Sequence, residues 1–202
     1  MTEKILRFLD AELRATEDTP NMTVEGYALK FDKETIIGPK SWGFREKISR
    51  TALDGAKLDD VVFNFNHLNE MLMARTLNRS LTLQVDTTGL KMSAQIIDTA
   101  TGRDVYKMIQ SGLIMRMSFA ATIKTSVWTI SENDEVMDLR DITAIDRLFD
   151  VSAVTFPAYE DTGIAVSRGI ATLDEDAKRH FEQRQYNLQI QKLNQILGGI
   201  KK

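Results

Sequence analysis

"SLTLQVDTTGLKMSAQI", residues 80–96, alternates apolar and polar side chains on both sides of a turn-forming cluster. Leu81, Leu83 and Val85 fall on one side of an extended chain. Asp86 to Gly89 supply the reversal, and Leu90, Met92, Ala94 and Ile96 return on the matching side. Two such runs predict a β-hairpin, and the same period of two dominates from about residue 5 to residue 100. "MTVEGYALKFD" (Met22–Asp32) sets Val24, Gly26, Ala28 and Lys30 against Thr23, Glu25, Tyr27, Leu29 and Phe31. "DDVVFNFNH" (Asp59–His67) sets Val61, Phe63, Phe65 and His67 against Val62, Asn64 and Asn66. Both are predicted strands.

The period then changes. "TATGRDVYKMIQSG" offers Thr99 or Thr101 as a helix N-cap, Val105, Met108 and Ile109 as an apolar stripe, and Gly112 as a stop. Strand patterns resume in "LIMRMSFAATIKTSVWTI" and "VMDLRDITAIDRLFDVSAVTFPAY", so the residues predict a β-rich α+β domain with a crossover helix. From about Asp174 the chain is rich in Gln and charge, with Leu188, Leu193, Ile196 and Leu197 at near-helical spacing. That pattern predicts an amphipathic helical tail for docking or oligomer contact. The boundary falls between residues 1–168 and residues 169–202.

The 26 basic and 29 acidic residues give a formal charge of -3, which provides no global field for a nucleic-acid backbone. The 202 residues contain no cysteine, which excludes disulfides, thiolate metal sites and a cysteine nucleophile. The opening "MTEKILRFLDAELRATED" reads as neither signal peptide nor membrane span, and later apolar runs are too short to cross a bilayer. A soluble, cytoplasmic protein with no nucleic-acid and no membrane partner is expected. With only two histidines, no acid cluster of calcium-loop type and no phosphate loop in "TGRD", neither a metal nor a cofactor is expected.

His180 lies among charges in the tail, as on a solvated helix face. His67 closes an apolar strand face, either as a structural imidazole or as a general base. Ser118 shares a face with Arg116 and Ala120, while Met115, Met117 and Phe119 point to the other side. It is an ordinary strand hydroxyl unless a base on another strand activates it. Asp150 interrupts the apolar strand Leu148, Phe149, Val151, Ala153 and Val154, where an ionised acid needs a partner. That partner is an imidazole in one reading, and Arg147, Arg140 or Arg116 in the other.

Five segments in order resemble the prohead protease family of tailed bacteriophages. They are "VEGYALKFD", "FREKISRTAL", "FNFNHLNEMLMARTLNRSLTLQVDTTGL" around His67, "GRDVYKMIQSGLIMRMSFAA" around Ser118, and "LFDVSAVTFPAY" around Asp150. The resemblance runs from about Leu6 to Ala165. It implies a mostly antiparallel β-barrel surrounded by helices, similar to the herpesvirus assemblin proteases, and a serine endopeptidase mechanism. Ser118 matches the nucleophile of the "MSF" motif and His67 the base of "NHL". Asp150 stands at the acidic position before "VS", commonly glutamate in relatives, with Glu160, Asp161, Asp146 and Asp138 as other carboxylates for that role. A second histidine, as in the herpesvirus enzymes, would have to be His180.

Relatives often carry glycine where this chain has Arg116 and Ala120. Arg75 and Arg116 are candidates for positive charge near an oxyanion, or for structural pairing. The resemblance implies capsid and scaffolding proteins as substrates, action inside the assembling procapsid in the host cytoplasm, and a tail that is self-cleaved or used for recruitment. Homo-oligomerisation stays open. Other readings are an internal scaffold subunit with an unused site, and a housekeeping peptidase. Leu or Val would serve a purely structural strand better than His67, which argues against the scaffold.

Overall fold

The structure is a computed structural model and describes residues 4–9, 13–16, 21–39, 43–131, 136–155 and 173–199. The hairpin that opens the sequence argument is β8 (Leu81–Val85) and β9 (Gly89–Gln95), paired Leu81 to Ala94, Leu83 to Met92 and Val85 to Leu90. Asp86 Oδ1 accepts from the Thr88 and Gly89 amides at 2.7 and 3.0 Å, which closes the turn. Gly89 is required there, because a Cβ would meet the Leu29 carbonyl oxygen at 2.1 Å. Val85, expected inward, is 48% exposed, since β8 is an edge strand and its last residue overhangs the core.

β9 pairs with β3 (Thr23–Lys30), and β3 with β2 (Leu13–Ala15), giving a four-stranded sheet. A register shift between Tyr27 and Leu29 makes Ala28 the extra residue of a bulge. Val24 before it, Ala28 itself and Leu29 after it are therefore all buried, which is why both alternating faces of this strand looked half apolar.

The larger, seven-stranded sheet runs in the order β1 (Lys4–Leu9), β10 (Arg116–Thr129), β11 (Leu139–Val154), β5 (Phe44–Ile48), β4 (Thr35–Ile37). Strand β11 is long enough to take two neighbours on the same edge. Its first residues pair parallel with β5, and Asp150 to Ala153 pair parallel with β6 (Val62–Phe65), which carries β7 (Leu68–Arg75). The remaining ladders are antiparallel.

Helix α1 (Ala100–Gln110) links the two sheets. Thr99 is its N-cap, and the Gly112 and Leu113 amides bond the Ile109 and Met108 carbonyls, with Gly112 at φ 76°. One core, including Ile5, Leu29, Phe63, Met92, Phe119 and Val151, fills the space between the sheets.

The barrel expected from the resemblance is not closed among the described residues. Individual backbone bonds, Leu13 to Met115, Met73 to Ile97 and Asp32 to Ile48, join the sheets at their corners where a continuous ladder would be needed. Met115, expected on the inner face, is 57% exposed because it precedes the strand at one of these corners.

The C-terminal helix α2 (Glu175–Gly199) docks by its first turns. Leu173 and Ala177 pack with Ile37 and Phe44, and Asp174 Oδ1 caps the helix at the Ala177 amide, 2.9 Å away. Buried Arg140 reaches Asp174 at 2.8 Å and Asp176 at 3.2 Å.

His180 is a correction to the solvated tail face. Its ring stacks on Trp128 with centroids 3.7 Å apart, and its Nε2 lies 2.8 Å from Asp138 Oδ2. Farther along, Tyr186, Ile190 and Leu193 are exposed.

Candidate active site

The site lies on the face of the larger sheet that points away from the core. Along β10, Met117, Phe119 and Ala121 join the core, which turns Ser118 and Ala120 to the opposite face. Register carries that face across the sheet: Ser118 pairs with Ser152, Ala120 with Asp150, and Ser152 with Asn64 of β6.

Strand β11 reaches this arrangement through an irregularity. In an uninterrupted strand Asp150 would share the face of Leu148. Ala120 pairs with Asp150 while Ala121 pairs with Leu148, so Phe149 is an inserted residue and the alternation inverts there. Leu148, Val151 and Ala153 all stay in the core, and Asp150 and Ser152 are delivered to the other side.

His67 reaches the same face by a different device. It does not end the apolar face of β6 as expected, but forms with Asn66 the two-residue turn between Phe65 and Leu68. Both residues have positive φ, 53° and 60°, the sign that tight hairpin turns need. Asn and His tolerate this region better than most residues do. The Asn66 amide donates to the Ala153 carbonyl at 2.9 Å, and Asn66 Oδ1 accepts from the Thr155 amide at 3.2 Å. The imidazole thereby lies over the side of Asn64 rather than that of Phe63.

The three residues singled out in the sequence come together. His67 Nε2 is 2.6 Å from Ser118 Oγ, and His67 Nδ1 is 2.6 Å from Asp150 Oδ1. Ser118 is fully buried, and the side chains of His67 and Asp150 are 10% and 4% exposed. Burial alone would raise the Asp150 pKa. The hydrogen bond and charge of His67, the charge of Lys4 and the Ser152 hydroxyl outweigh it and hold the carboxyl below the usual aspartate range. An ionised Asp150 accepts from Nδ1–H, which leaves the Nε2 lone pair facing Ser118. The Arg7 carbonyl is a second acceptor within reach of the Ser118 hydroxyl, at 2.9 Å.

Sequence reasoning missed three neighbours. Ser152 Oγ sits 3.0 Å from Asp150 Oδ1, 3.1 Å from His67 Nδ1 and beside Asn64 Oδ1, and its single proton can be donated to the carboxylate or to the amide oxygen. Lys4 Nζ is 3.2 Å from Asp150 Oδ2. Ser152 was detectable as the residue two beyond Asp150 on one strand, and Asn64 as a polar residue inside an apolar run. Lys4 had no local signal.

Most of the other candidates are engaged elsewhere. Arg75 grips Asp60 with two bonds of 2.7 and 2.8 Å, Asp146 pairs with Lys57, and Asp138 is held by His180 and Arg184. Arg147 lies 3.8 Å from Asp59, and Arg140 serves Glu46 and the start of α2. Glu160 and Asp161 lie outside the described residues. No group of three or more His, Asp or Glu side chains is placed to hold a metal ion among the described residues. Nor is any described helix long and apolar enough to cross a membrane.

A buried serine, imidazole and carboxylate joined in line form the constellation of a serine hydrolase site, recognised by geometry rather than by chain order. A sequence profile described as caudovirus prohead serine protease matches residues 9–176, and the chain belongs to that family. No curated protein sequence matches the chain. Among solved structures it is similar to the bacteriophage T4 capsid assembly protease gp21, at 11% identity and a TM-score of 0.47, over 77% of this chain and 98% of that one.

Proposed function

We propose that this protein is a prohead endopeptidase in which Ser118 is the nucleophile, His67 the general acid and base, and Asp150 the group that orients the imidazole. The observation that carries this reading is the unbroken line from Asp150 Oδ1 through both His67 nitrogens to Ser118 Oγ, with 2.6 Å at each step. Ser118 Oγ attacks the scissile carbonyl carbon as its proton passes to His67 Nε2, and Asp150 stabilises the imidazolium. His67 then protonates the leaving amine. A water, deprotonated by the same nitrogen, releases the acyl group and restores the serine.

The substrates in this reading are capsid and scaffolding chains inside the assembling procapsid, and the chain itself. Residues 1–168 form the protease body, and residues 169–202 a tail open to removal by self-cleavage. The two sheets around one core then correspond to an assemblin-like fold, with the corner bonds marking where a barrel would close.

Co-expression with the capsid and scaffolding proteins of its phage tests the proposal on a gel. The wild-type chain should yield cut products that Ser118→Ala and His67→Ala do not. Identical uncut bands in all three, with shells assembled, would overturn the protease reading and leave a scaffold subunit.

A further inference from the structure

We propose that Lys4 is a positioning residue of this site: its ammonium holds Asp150 Oδ2, so that Oδ1 stays aimed at His67 Nδ1. The inference rests on the protease reading above and adds a residue at the start of the chain to it.

A carboxylate on a short side chain has one torsion that turns both oxygens together, so fixing one oxygen fixes the other. Oδ1 is taken by His67 at 2.6 Å and Ser152 at 3.0 Å, and Oδ2 faces Lys4 Nζ at 3.2 Å. Among the described residues, the basic side chains in contact with Asp150 are Lys4 from β1 and His67 from the β6–β7 turn. Without Lys4, Oδ2 would be an almost fully buried anionic oxygen with nothing charged against it, and rotation toward water would draw Oδ1 away from the imidazole.

The sheet also provides the path. Lys4 pairs with Thr122, Leu6 with Ala120, and Ala120 with Asp150. Lys4 therefore reaches Asp150 diagonally across β10, past a residue whose side chain is one methyl group. Its ammonium lies 5.1 Å from the centroid of Phe149, the inserted residue that turns Asp150 to this face. The bulge thus presents both the carboxylate and an aromatic ring to the same cation. The lysine side chain is 47% exposed, so its direct electrostatic contribution is screened, and most of its effect is expected through orientation.

The test uses the full chain and a fluorophosphonate probe, whose phosphorus is attacked by the serine oxygen with loss of fluoride, so that no natural substrate is needed. Wild type, Lys4→Gln, Lys4→Arg and Ser118→Ala are compared at neutral pH. Lys4→Gln should be labelled about two- to ten-fold more slowly than wild type at saturating probe. Lys4→Arg should regain most of the rate. In the Ser118→Ala background, the downfield proton resonance of His67 Nδ1–H should weaken or move upfield on Lys4→Gln and return with Lys4→Arg.

Equal rates and resonances in wild type and Lys4→Gln would overturn the proposal. So would equal losses in both lysine variants with an unchanged resonance, which would mark a purely structural contact. Failure of wild type to be labelled at Ser118 counts against the protease reading instead, and the resonance still decides whether Lys4 holds the Asp150–His67 pair.

Discussion

The chain contains two histidines, and each is bound to a buried aspartate. His67 meets Asp150 at 2.6 Å and His180 meets Asp138 at 2.8 Å, so pair distance does not distinguish them. The difference lies in the remaining surroundings of each ring. The second nitrogen of His67 faces the Ser118 hydroxyl at 2.6 Å, where a proton can be handed over. His180 instead lies flat on Trp128, with an interplanar angle of 9°, and its aspartate also binds Arg184 at 3.1 Å and the Ser131 amide at 2.9 Å. One pair points at a serine hydroxyl and the other pins a helix to a sheet. A His–Asp pair becomes a candidate for catalysis through the third group that it serves.

The largest effect expected from breaking this parallel is on activity. His67→Ala should lower probe labelling or peptide cleavage by about 10³-fold or more, while His180→Ala should leave the rate within about two-fold, with both assayed below their unfolding temperatures. A comparable loss in both variants would mean that the helix dock supports the site. Stability should show the reverse order. His180→Ala removes a ring stack and one hydrogen bond to a buried carboxylate, which corresponds to about 1–3 kcal/mol and a drop of about 2–12 °C in Tm by scanning calorimetry. His67→Ala keeps the positive φ and loses the bonds of the imidazole, but Lys4 and Ser152 stay against Asp150, and a smaller shift is expected.

The smallest effect concerns acid. The folded pKa of Asp150 lies below its unfolded value, so its contribution to stability is complete above the ordinary aspartate pKa of about 4 and is lost as pH falls through the folded value. Asp150→Asn should therefore flatten part of the fall in Tm below about pH 4 and leave the remainder. An unchanged acid profile would show that the pair does not hold the carboxyl in its charged form.

Much of the local structure was legible in the residues. The β8–β9 hairpin and the caps of α1 depend on side chains within a few positions of one another, and the chemistry of Asp86, Gly89, Thr99 and Gly112 selects their backbone shape. Ser118 was placed on the right face because β10 alternates without interruption around it. His67 and Asp150 were identified as residue types out of place, but their positions were misread. The imidazole leaves its strand through a turn, and the carboxylate changes face through an inserted residue. Period-two reading cannot register either event, since it assumes unbroken alternation. His180 was misread for a different reason: a charged helix face gives no sign that a tryptophan 52 positions earlier will cover it.

The sequence by itself determined the β-rich class, the crossover helix, the absence of thiol chemistry and the short list of groups able to act as nucleophile, base and acid. Those properties follow from composition and from interactions between near neighbours. Tertiary structure alone decided that Ser118, His67 and Asp150 meet, that Ser152 and Lys4 join them, and that the second histidine serves packing. The contacts of His67 with Ser118 and Asp150, and of Lys4 with Asp150, cross 51 to 146 residues of chain, and they depend on which strands pair, in which register and with which bulges.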